Sequence, residues 1–231
     1  MPLRGKAAMI LSFDVSQDAI REHDDWHTHE HLSERLAIPG FVRGSRWIAL
    51  TGIPRYFVMY EVDALEVLSS PAYLERLNNP SPWTTKMMPN YRAMARGFCT
   101  VMHSVGAGFG YAGLLLRFKP EPAAEDSLRA WLQRDILSPI PTCSGLGSAH
   151  LLAGARSPEM TKEQSIRGAD AGVDWTLFIC GFNRDALEQL SRDQLSKKTL
   201  EQHGATGVMG GIYRLDYALT REELGEPGAG L

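Results

Sequence analysis

The sequence predicts an α+β fold, because strand and helix patterns occur in the same order twice along its 231 residues. Alternating apolar and polar residues, rich in β-branched and aromatic side chains, indicate four strands in the first half, at about residues 6–14, 41–51, 55–63 and 98–106. The pattern recurs in the second half, at roughly residues 111–118, 146–154, 174–182 and 207–218. Each half therefore reads strand, helix, strand, strand, helix, strand.

Helical patterns fill the gaps between these strands. The first helix begins after Ser16, a residue type that caps helices, and ends at Ala37 before a Pro-Gly pair. The second begins near Ala64 and continues, across two prolines, through Tyr91 to Met94. In the second half, helices are expected at roughly residues 124–137 and 184–203.

Two βαββαβ units each predict an antiparallel sheet with helices on one face, the ferredoxin-like plan. If the two sheets pack face to face, each covers the bare face of the other, and a ligand cavity is expected between them. The predicted organisation is a first repeat over residues 1–108, a second repeat over residues 109–220 and a flexible tail over residues 221–231. Residues 155–173 have the composition of an insertion in the second repeat.

One alignment of the halves supports an internal duplication. A displacement of 105 residues places Trp26 on Trp131 and Gly40 on Gly145. It also places His27 on Leu132 and His31 on Ile136, so the second copy manages without these histidines.

Composition excludes several classes of function. With 24 basic and 27 acidic residues well interspersed, the chain has no basic surface for nucleic acid. It contains no apolar run long enough to span a membrane and no signal-peptide pattern, so a cytoplasmic location is expected. The three cysteines, Cys99, Cys143 and Cys180, form no metal or disulfide pattern and are expected to be buried thiols.

The feature that indicates chemistry is a cluster of four histidines in nine residues, from His23 to His31. On a helix, His23, His27, Glu30, His31 and Glu34 fall along one stripe, and His29 points elsewhere. A carboxylate near an imidazole can orient the ring and raise its basicity. We therefore interpret His27 and His31 as candidate catalytic bases and Glu30 as their orienting partner. The structural alternative is a solvated face with pairs inside the helix.

Other candidates line the expected cavity between the sheets. Strand alternation predicts that Glu61 and His103 point into it. Arg43 and Arg46 lie on opposite faces of one strand, and Arg46 is taken as the one that binds substrate. Trp26 and Trp83 are candidate pocket walls as well as core residues.

Two motifs give weaker signals. His27 and His31, spaced i and i+4, could bind a cation with a carboxylate, but the zincin sequence is absent and no metal site is predicted. Residues Gly108 to Gly113 match a dinucleotide-binding pattern, yet they connect strand to strand and are interpreted as the joint between the halves.

The first hundred residues resemble EthD-like proteins of the dimeric α/β-barrel superfamily. The resemblance rests on the runs Trp26-His27-x-x-Glu30-His31-Leu32-x-Glu34-Arg35-Leu36-x-Ile38-Pro39-Gly40-Phe41, Arg43-Gly44-x-Arg46-Trp47, Tyr60-Glu61-Val62 and Ser70-Pro71-Ala72-Tyr73-Leu74. It implies that His27 and His31 lie near a barrel mouth. That superfamily includes cofactor-free monooxygenases, isomerases, polyketide cyclases and haem-binding branches. Because the second half departs from the pattern, one competent site per chain is expected.

Together these observations predict an enzyme of aromatic or secondary-metabolite catabolism. His27 or His31 is expected to abstract a proton from a small-molecule substrate in the barrel cavity, as an isomerase, lyase or monooxygenase without metal or organic cofactor. The alternatives are a non-catalytic ligand-binding barrel and, third, a His/Glu metalloenzyme. Neither nucleic acid nor membrane is an expected partner, and the chain could form a homodimer.

Overall fold

The computed structural model of the chain describes residues 3–155, 161–167 and 170–225. Eight antiparallel strands form one closed barrel in the order β1-β3-β2-β8-β5-β7-β6-β4. The strands are β1 (Ala7–Val15), β2 (Phe41–Ala49), β3 (Tyr56–Val62), β4 (Tyr91–Gly106), β5 (Ala112–Pro120), β6 (Leu146–Ala155), β7 (Trp175–Gly181) and β8 (Ala205–Thr220).

The helices lie outside this barrel. Helix α1 is continuous through four segments: a 3₁₀ turn (Gln17–Ala19), an α-helical segment (Ile20–Trp26), a π-helical turn (His27–His31) and a second α-helical segment (Leu32–Leu36). The others are α2 (Pro71–Asn78), α3 (Pro82–Met87), α4 (an α-helical segment Glu125–Trp131 and a π-helical turn Leu132–Leu137), α5 (Lys162–Arg167), α6 (Arg184–Arg192) and α7 (Lys197–Gln202). Short 3₁₀ turns cover Leu65–Ser69, Met88–Asn90, Ile140–Thr142 and Arg221–Leu224.

The predicted fold class is confirmed. Strands β1 to β4 form one βαββαβ unit with the sheet order 4-1-3-2, and β5 to β8 repeat that order. The two sheets face each other and join at both edges, where β2 pairs with β8 and β4 pairs with β6. The fold is therefore of the ferredoxin-like, dimeric α/β-barrel type within a single chain.

The barrel interior is a packed core, which corrects the expected cavity between the sheets. Side chains from both halves interdigitate there: Trp47 packs edge to face on Phe178, and Phe57 packs at a tilt against the same ring. Large aromatic side chains can fill the space inside an eight-stranded barrel. The buried interior residues are Leu3, Ala8, Ile10, Trp47, Phe57, Met59, Cys99, Leu115, Leu152, Phe178, Cys180 and Tyr213.

Two further cores lie on the outer faces of the sheets, one beneath the helices of each half. In β1, Met9 and Phe13 belong to the first outer core, while Ala8 and Ile10 point into the barrel. This alternation follows from the two-residue period of a strand. Residues that alternate in sequence thus serve two separate cores.

Several local expectations were wrong. Tyr91 to Met94 begin β4 and do not end a helix, because Asp14 and Val15 of β1 pair with Arg92 and Tyr91. Cys143 is exposed, although Cys99 and Cys180 are buried.

The connections also differ in detail from the prediction. Residues 221–224 of the expected flexible tail form a turn in which Arg221 donates to the last carbonyl groups of α1, including that of Leu36. The rest of that tail, residues 226–231, lies outside the described residues, as do parts of the predicted insertion. Among the residues that are described, no helix is both long enough and apolar enough to cross a bilayer.

The 105-residue displacement holds in three dimensions. Both long helices contain a π-helical turn, at His27–His31 and at Leu132–Leu137. Both are followed by a glycine with positive φ, +88° at Gly40 and +83° at Gly145. The halves are therefore structurally equivalent at the residues that matter for the site, whereas their common ancestry stays a prediction.

Candidate active site

Helix α1 buries three of its four clustered histidines. His23, His27 and His31 are 1%, 2% and 8% exposed, while His29 is exposed to solvent. The rings form a row, with centroids 5.6 Å apart for His23 and His27 and 5.7 Å apart for His27 and His31. The predicted helical stripe is thus a buried face, and the solvated alternative is wrong for it.

Two rings of the row, His27 and His31, line a small cavity between α1 and the outer face of the first sheet. Met9 and Phe13 of β1, with Val58 and Tyr60 of β3, form its floor. Its volume is about 20 Å³, which is room for a single water molecule. The histidines therefore lie on the side of the sheet opposite to the barrel interior, and the expectation that they line the barrel cavity was wrong.

His27 is held as a neutral imidazole. Burial, followed by the positive charges of Arg46 and Arg35, keeps its pKa well below the usual value. Its Nε2 is 3.2 Å from the Tyr60 hydroxyl, whereas its Nδ1 has no hydrogen-bond partner among the described residues. Burial raises the pKa of Tyr60, so this phenol stays protonated.

The neighbouring rings are fixed by other contacts. His23 lies between Asp24, 3.2 Å from its Nδ1, and the Tyr91 hydroxyl, 3.3 Å from its Nε2. Burial lowers the pKa of His23 even though Asp24 acts in the opposite direction. The ring of His31 packs against Trp26, with centroids 4.3 Å apart.

A buried guanidinium completes the site. Arg35, one turn after His31, is 2% exposed and lines the cavity. Its Nη2 donates to both carboxylate oxygens of Glu163, at 2.6 and 2.7 Å. Burial by itself would lower the pKa of Arg35, but the Glu163 carboxylate raises it, so the guanidinium stays charged.

The second half shows what this helix face looks like without a polar site. The residues equivalent to His23, His27 and His31 are apolar and buried; they are Leu128, Leu132 and Ile136. The residue equivalent to Arg35 is the buried Ile140. Strand β7 is the equivalent of β3, and it has Ile179 at the position of Tyr60. The fold thus accepts aliphatic packing at positions where the first half buries imidazoles and a guanidinium.

Glu30 was predicted to orient His27, but its carboxylate has other partners in the structure. The Glu30 carboxylate accepts hydrogen bonds from Trp26 Nε1 at 3.1 Å and Ser81 Oγ at 2.5 Å. It thereby ties α1 to the start of α3. Trp83, a predicted pocket wall, instead donates to Glu22 at the half-buried surface and does not line the cavity.

The predicted residues of the sheets are divided between its two faces. Arg43 and Glu61 do point into the barrel, where they form a buried ion pair at 2.5 Å. Arg46, the predicted substrate ligand, lies on the helix side with its guanidinium bound to Asp216 and to a backbone carbonyl of α1. His103 pairs across strands with Leu151 of the second outer core, so it points away from the barrel interior.

Sequence reasoning did not single out most of the residues around the histidines. Tyr60, Tyr73, Tyr91 and Arg96 all line the cavity, and Glu163 reaches it from the second half. The i+4 spacing after His31 was a usable signal for Arg35. No comparable signal exists for Glu163, which is 128 positions from Arg35.

The histidine cluster lacks the arrangement of a metal site within the described part of the chain. Across the described ranges, no three His, Cys, Asp or Glu side chains are arranged so that they could hold a metal ion. The ring centroids of the row lie 5.6 and 5.7 Å apart, and the hydrogen-bond partners of His23 and His27 are two phenols and the single carboxylate of Asp24.

Comparison with solved structures shows the same fold in proteins of very different sequence. An anthrone oxidase-like protein aligns over 100% of this chain and 99% of its own, with 11% identity and a TM-score of 0.64. A proposed monooxygenase from Lactobacillus acidophilus aligns over 93% and 96%, with 8% identity and a TM-score of 0.59. A chlorite dismutase from Candidatus Nitrospira defluvii aligns over 93% and 92%, with 9% identity and a TM-score of 0.53.

At such identities this likeness establishes the dimeric α/β-barrel fold and nothing finer. No protein-family model and no curated protein matches the sequence.

Proposed function

We propose that this protein is a small-molecule enzyme in which His27 removes a proton from an enolisable or phenolic substrate, without a metal or organic cofactor. The observation that carries the proposal is the burial of a neutral imidazole, with its Nδ1 unpaired among the described residues, where the second half packs Leu132. Burying an unpaired polar atom costs free energy that a leucine would not cost. Such a cost is typical of functional sites.

The arrangement supplies the parts that proton abstraction needs. For Nδ1 to act as the base, Nε2 carries the ring proton and donates it to the Tyr60 hydroxyl. Arg35, also in the cavity lining, provides positive charge that stabilises an anionic group in the site. His31 is the second candidate base on the same cavity wall.

Anthrones are a reasonable first substrate class. They are enolisable ketones whose methylene protons are acidic, because loss of one gives an aromatic enolate. One protein with this fold is described as anthrone oxidase-like. An isomerase, a lyase and a cofactor-free oxygenase all start from such a proton abstraction, so this step is the one to test.

The test follows exchange of the methylene protons of an anthrone that carries a carboxylate substituent with solvent deuterium, by NMR in the absence of oxygen. The wild-type protein should accelerate exchange, and His27→Gln should reduce that acceleration by about 10²- to 10⁴-fold, the usual contribution of a positioned base. His29→Gln is the matched control, because it changes an exposed histidine two positions away on the same helix. Wild-type exchange rates in folded His27→Gln and His31→Gln would contradict the proposal.

A second candidate function is ligand binding without chemistry. The observation that favours it is the mainly apolar and aromatic floor of the cavity, formed by Met9, Phe13 and Val58, which is the kind of lining that ligand pockets have. It predicts that ligands bind equally well to the wild-type protein and the histidine variants, with no protein-dependent exchange in any of them.

A further inference from the structure

The cover of this site comes from the other half of the molecule. Strands β2 and β3 are joined by only a few residues, but the equivalent connection between β6 and β7 contains α5 (Lys162–Arg167). Glu163 of α5 is 3% exposed and lines the cavity of the first half. Ile166 packs against the first outer core. The site of one half is therefore closed by a segment of the other.

Two buried ion pairs attach this segment. Glu163 pairs with Arg35, and Asp170 pairs with Arg96 Nε at 3.2 Å, with side chains 4% and 7% exposed. Gln164 also donates to Asp170, at 3.1 Å. Arg35 and Arg96 both line the cavity. Each of the two ion pairs therefore joins the segment to a residue of the site.

The pair between Arg35 and Glu163 leaves part of the guanidinium unused. Both carboxylate oxygens approach the single nitrogen Nη2, and the buried Nη1 has no hydrogen-bond partner among the described residues. A guanidinium binds a carboxylate best through two parallel hydrogen bonds from two nitrogens. A carboxylate placed across Nη1 and Nη2 would thus satisfy an atom that Glu163 leaves unsatisfied.

From this geometry we propose that Arg35 is the anion-binding residue of the site and that the ligands are small aromatic carboxylates. The carboxylate of Glu163 pairs with the guanidinium in this structure, and the carboxylate of the ligand replaces it there when the ligand binds. The proposal rests on the proposed function for the location of the site and names its substrate class. The aromatic part of the class follows from the cavity lining, which includes Phe13, Tyr60 and Tyr73.

The exchange also explains how so small a cavity can admit a ligand. A neutral ligand that displaces Glu163 leaves the Arg35 charge buried and unpaired, which is strongly unfavourable. An anionic ligand replaces the Glu163 carboxylate by its own, so the Arg35 charge stays paired. Displacement of the segment that holds Glu163 then enlarges the cavity. The site therefore selects for ligand charge.

The experiment compares 2-naphthoate with 2-naphthamide, which has nearly the same shape and no charge, by fluorescence titration. Glu163→Gln should bind naphthoate at least tenfold more tightly than the wild-type protein does, with less than a twofold change for naphthamide. Asp170→Asn is the matched control, because it breaks the other ion pair and leaves that of Arg35 intact. It should change both affinities by the same factor. The double variant with Arg35→Lys and Glu163→Gln should not show the increased naphthoate affinity of Glu163→Gln.

Hydrogen exchange on the wild-type protein gives a readout that needs no variant. Saturating naphthoate should speed exchange of the backbone amides of residues 162–167, and naphthamide at the same concentration should not. Equal affinities of naphthoate for the wild-type protein and Glu163→Gln, equal gains for both ligands, or no binding of naphthoate would overturn the proposal. His27→Gln should still bind naphthoate, so loss of catalysis and loss of anion binding are distinguishable outcomes.

Discussion

Buried imidazoles make the folded protein sensitive to acid. Burial lowers the pKa of His23 and His27, and in the barrel interior burial and then the charge of Arg43 lower the pKa of His150 to about 3. Each of these rings therefore takes up a proton less readily in the folded protein than in the unfolded chain, where an imidazole becomes charged below about pH 6.5.

The first prediction follows from the sign of this difference. As the pH falls below about 6.5, the unfolded chain takes up protons that the folded protein excludes, so the free energy of unfolding decreases. The decrease is about 1.4 kcal/mol per pH unit for each imidazole that stays neutral when folded. Urea unfolding between pH 7.5 and 5 should therefore show a steeper loss for the wild-type protein than for His27→Leu, which has the residue found at position 132. The same slope in both proteins would contradict a neutral His27.

Tyr60 should act as a positioning residue for His27. Tyr60→Phe removes the acceptor of the Nε2 proton and leaves the ring free to change tautomer. Loss of one hydrogen bond worth about 1 kcal/mol corresponds to a rate of deuterium exchange roughly five- to tenfold lower. The ligand affinity should be unchanged, since the phenyl ring still fills its place. A drop in affinity without a change in rate would show that Tyr60 is only part of the pocket wall.

At the scale of elements, the π-helical turn of α1 is a property of the fold. It occurs at the equivalent position of α4, where the face is aliphatic, so it is not a consequence of the histidines. Such turns are frequent at functional sites, but here the turn is present in both halves and the chemistry in only one. The histidine row therefore lies at a π-helical turn that the fold forms with or without histidines.

The glycines that end these helices provide a stability test of the equivalence. Gly40 and Gly145 both have positive φ, and a Cβ would lie 2.5 Å from Val67 and 2.8 Å from Asn183, respectively. Each Gly→Ala change should lower the free energy of unfolding by about 1 to 2 kcal/mol from the backbone alone, and further because of the contact. Gly108→Ala is the control, with φ of +69° and open space around it. A loss at Gly40 no greater than at Gly108 would show that the close approach contributes nothing.

The elements that the sequence predicted well are those with a clear period. All eight strands and the long helix of each half were predicted from alternation and helical spacing, and the stripe of His23, His27 and His31 followed from that spacing. The face that each strand turns toward the barrel was not predictable, because Met9 and Ile10 are both apolar and both buried. Tyr91 to Met94 were misassigned, since their strand character depends on pairing with β1. Glu163 could not be found, because its role depends on a contact between distant parts of the chain.

At the scale of the whole molecule, the closed barrel makes each half depend on the other. Strands β2 and β4 are the two edge strands of the first half's sheet. The outer edge of β2 pairs with β8, and the outer edge of β4 pairs with β6, both strands of the second half. The inner face of the first half's sheet is covered by residues such as Phe178 and Tyr213. Exposed edges and an uncovered apolar face favour association with other chains.

The expected repeats at residues 1–108 and 109–220 should therefore not be independent folding units. A fragment of residues 1–108 should form oligomers or aggregate, which size-exclusion chromatography with light scattering would show. The full chain should unfold in one transition that is the same by tryptophan fluorescence and by circular dichroism. A monomeric, folded 1–108 fragment would contradict this and would support the two-unit organisation.

The cover that α5 provides has a consequence for how such a barrel can diversify. A barrel assembled from two identical chains carries every substitution and every insertion twice, so its two sites change together. In this chain the row of His23, His27 and His31 and the guanidinium of Arg35 belong to the first half and Glu163 belongs to the second, so each half can vary while the other keeps its part. Exchanging the β6–β7 connection alone should alter which ligands the site accepts without touching the helix that holds its imidazoles.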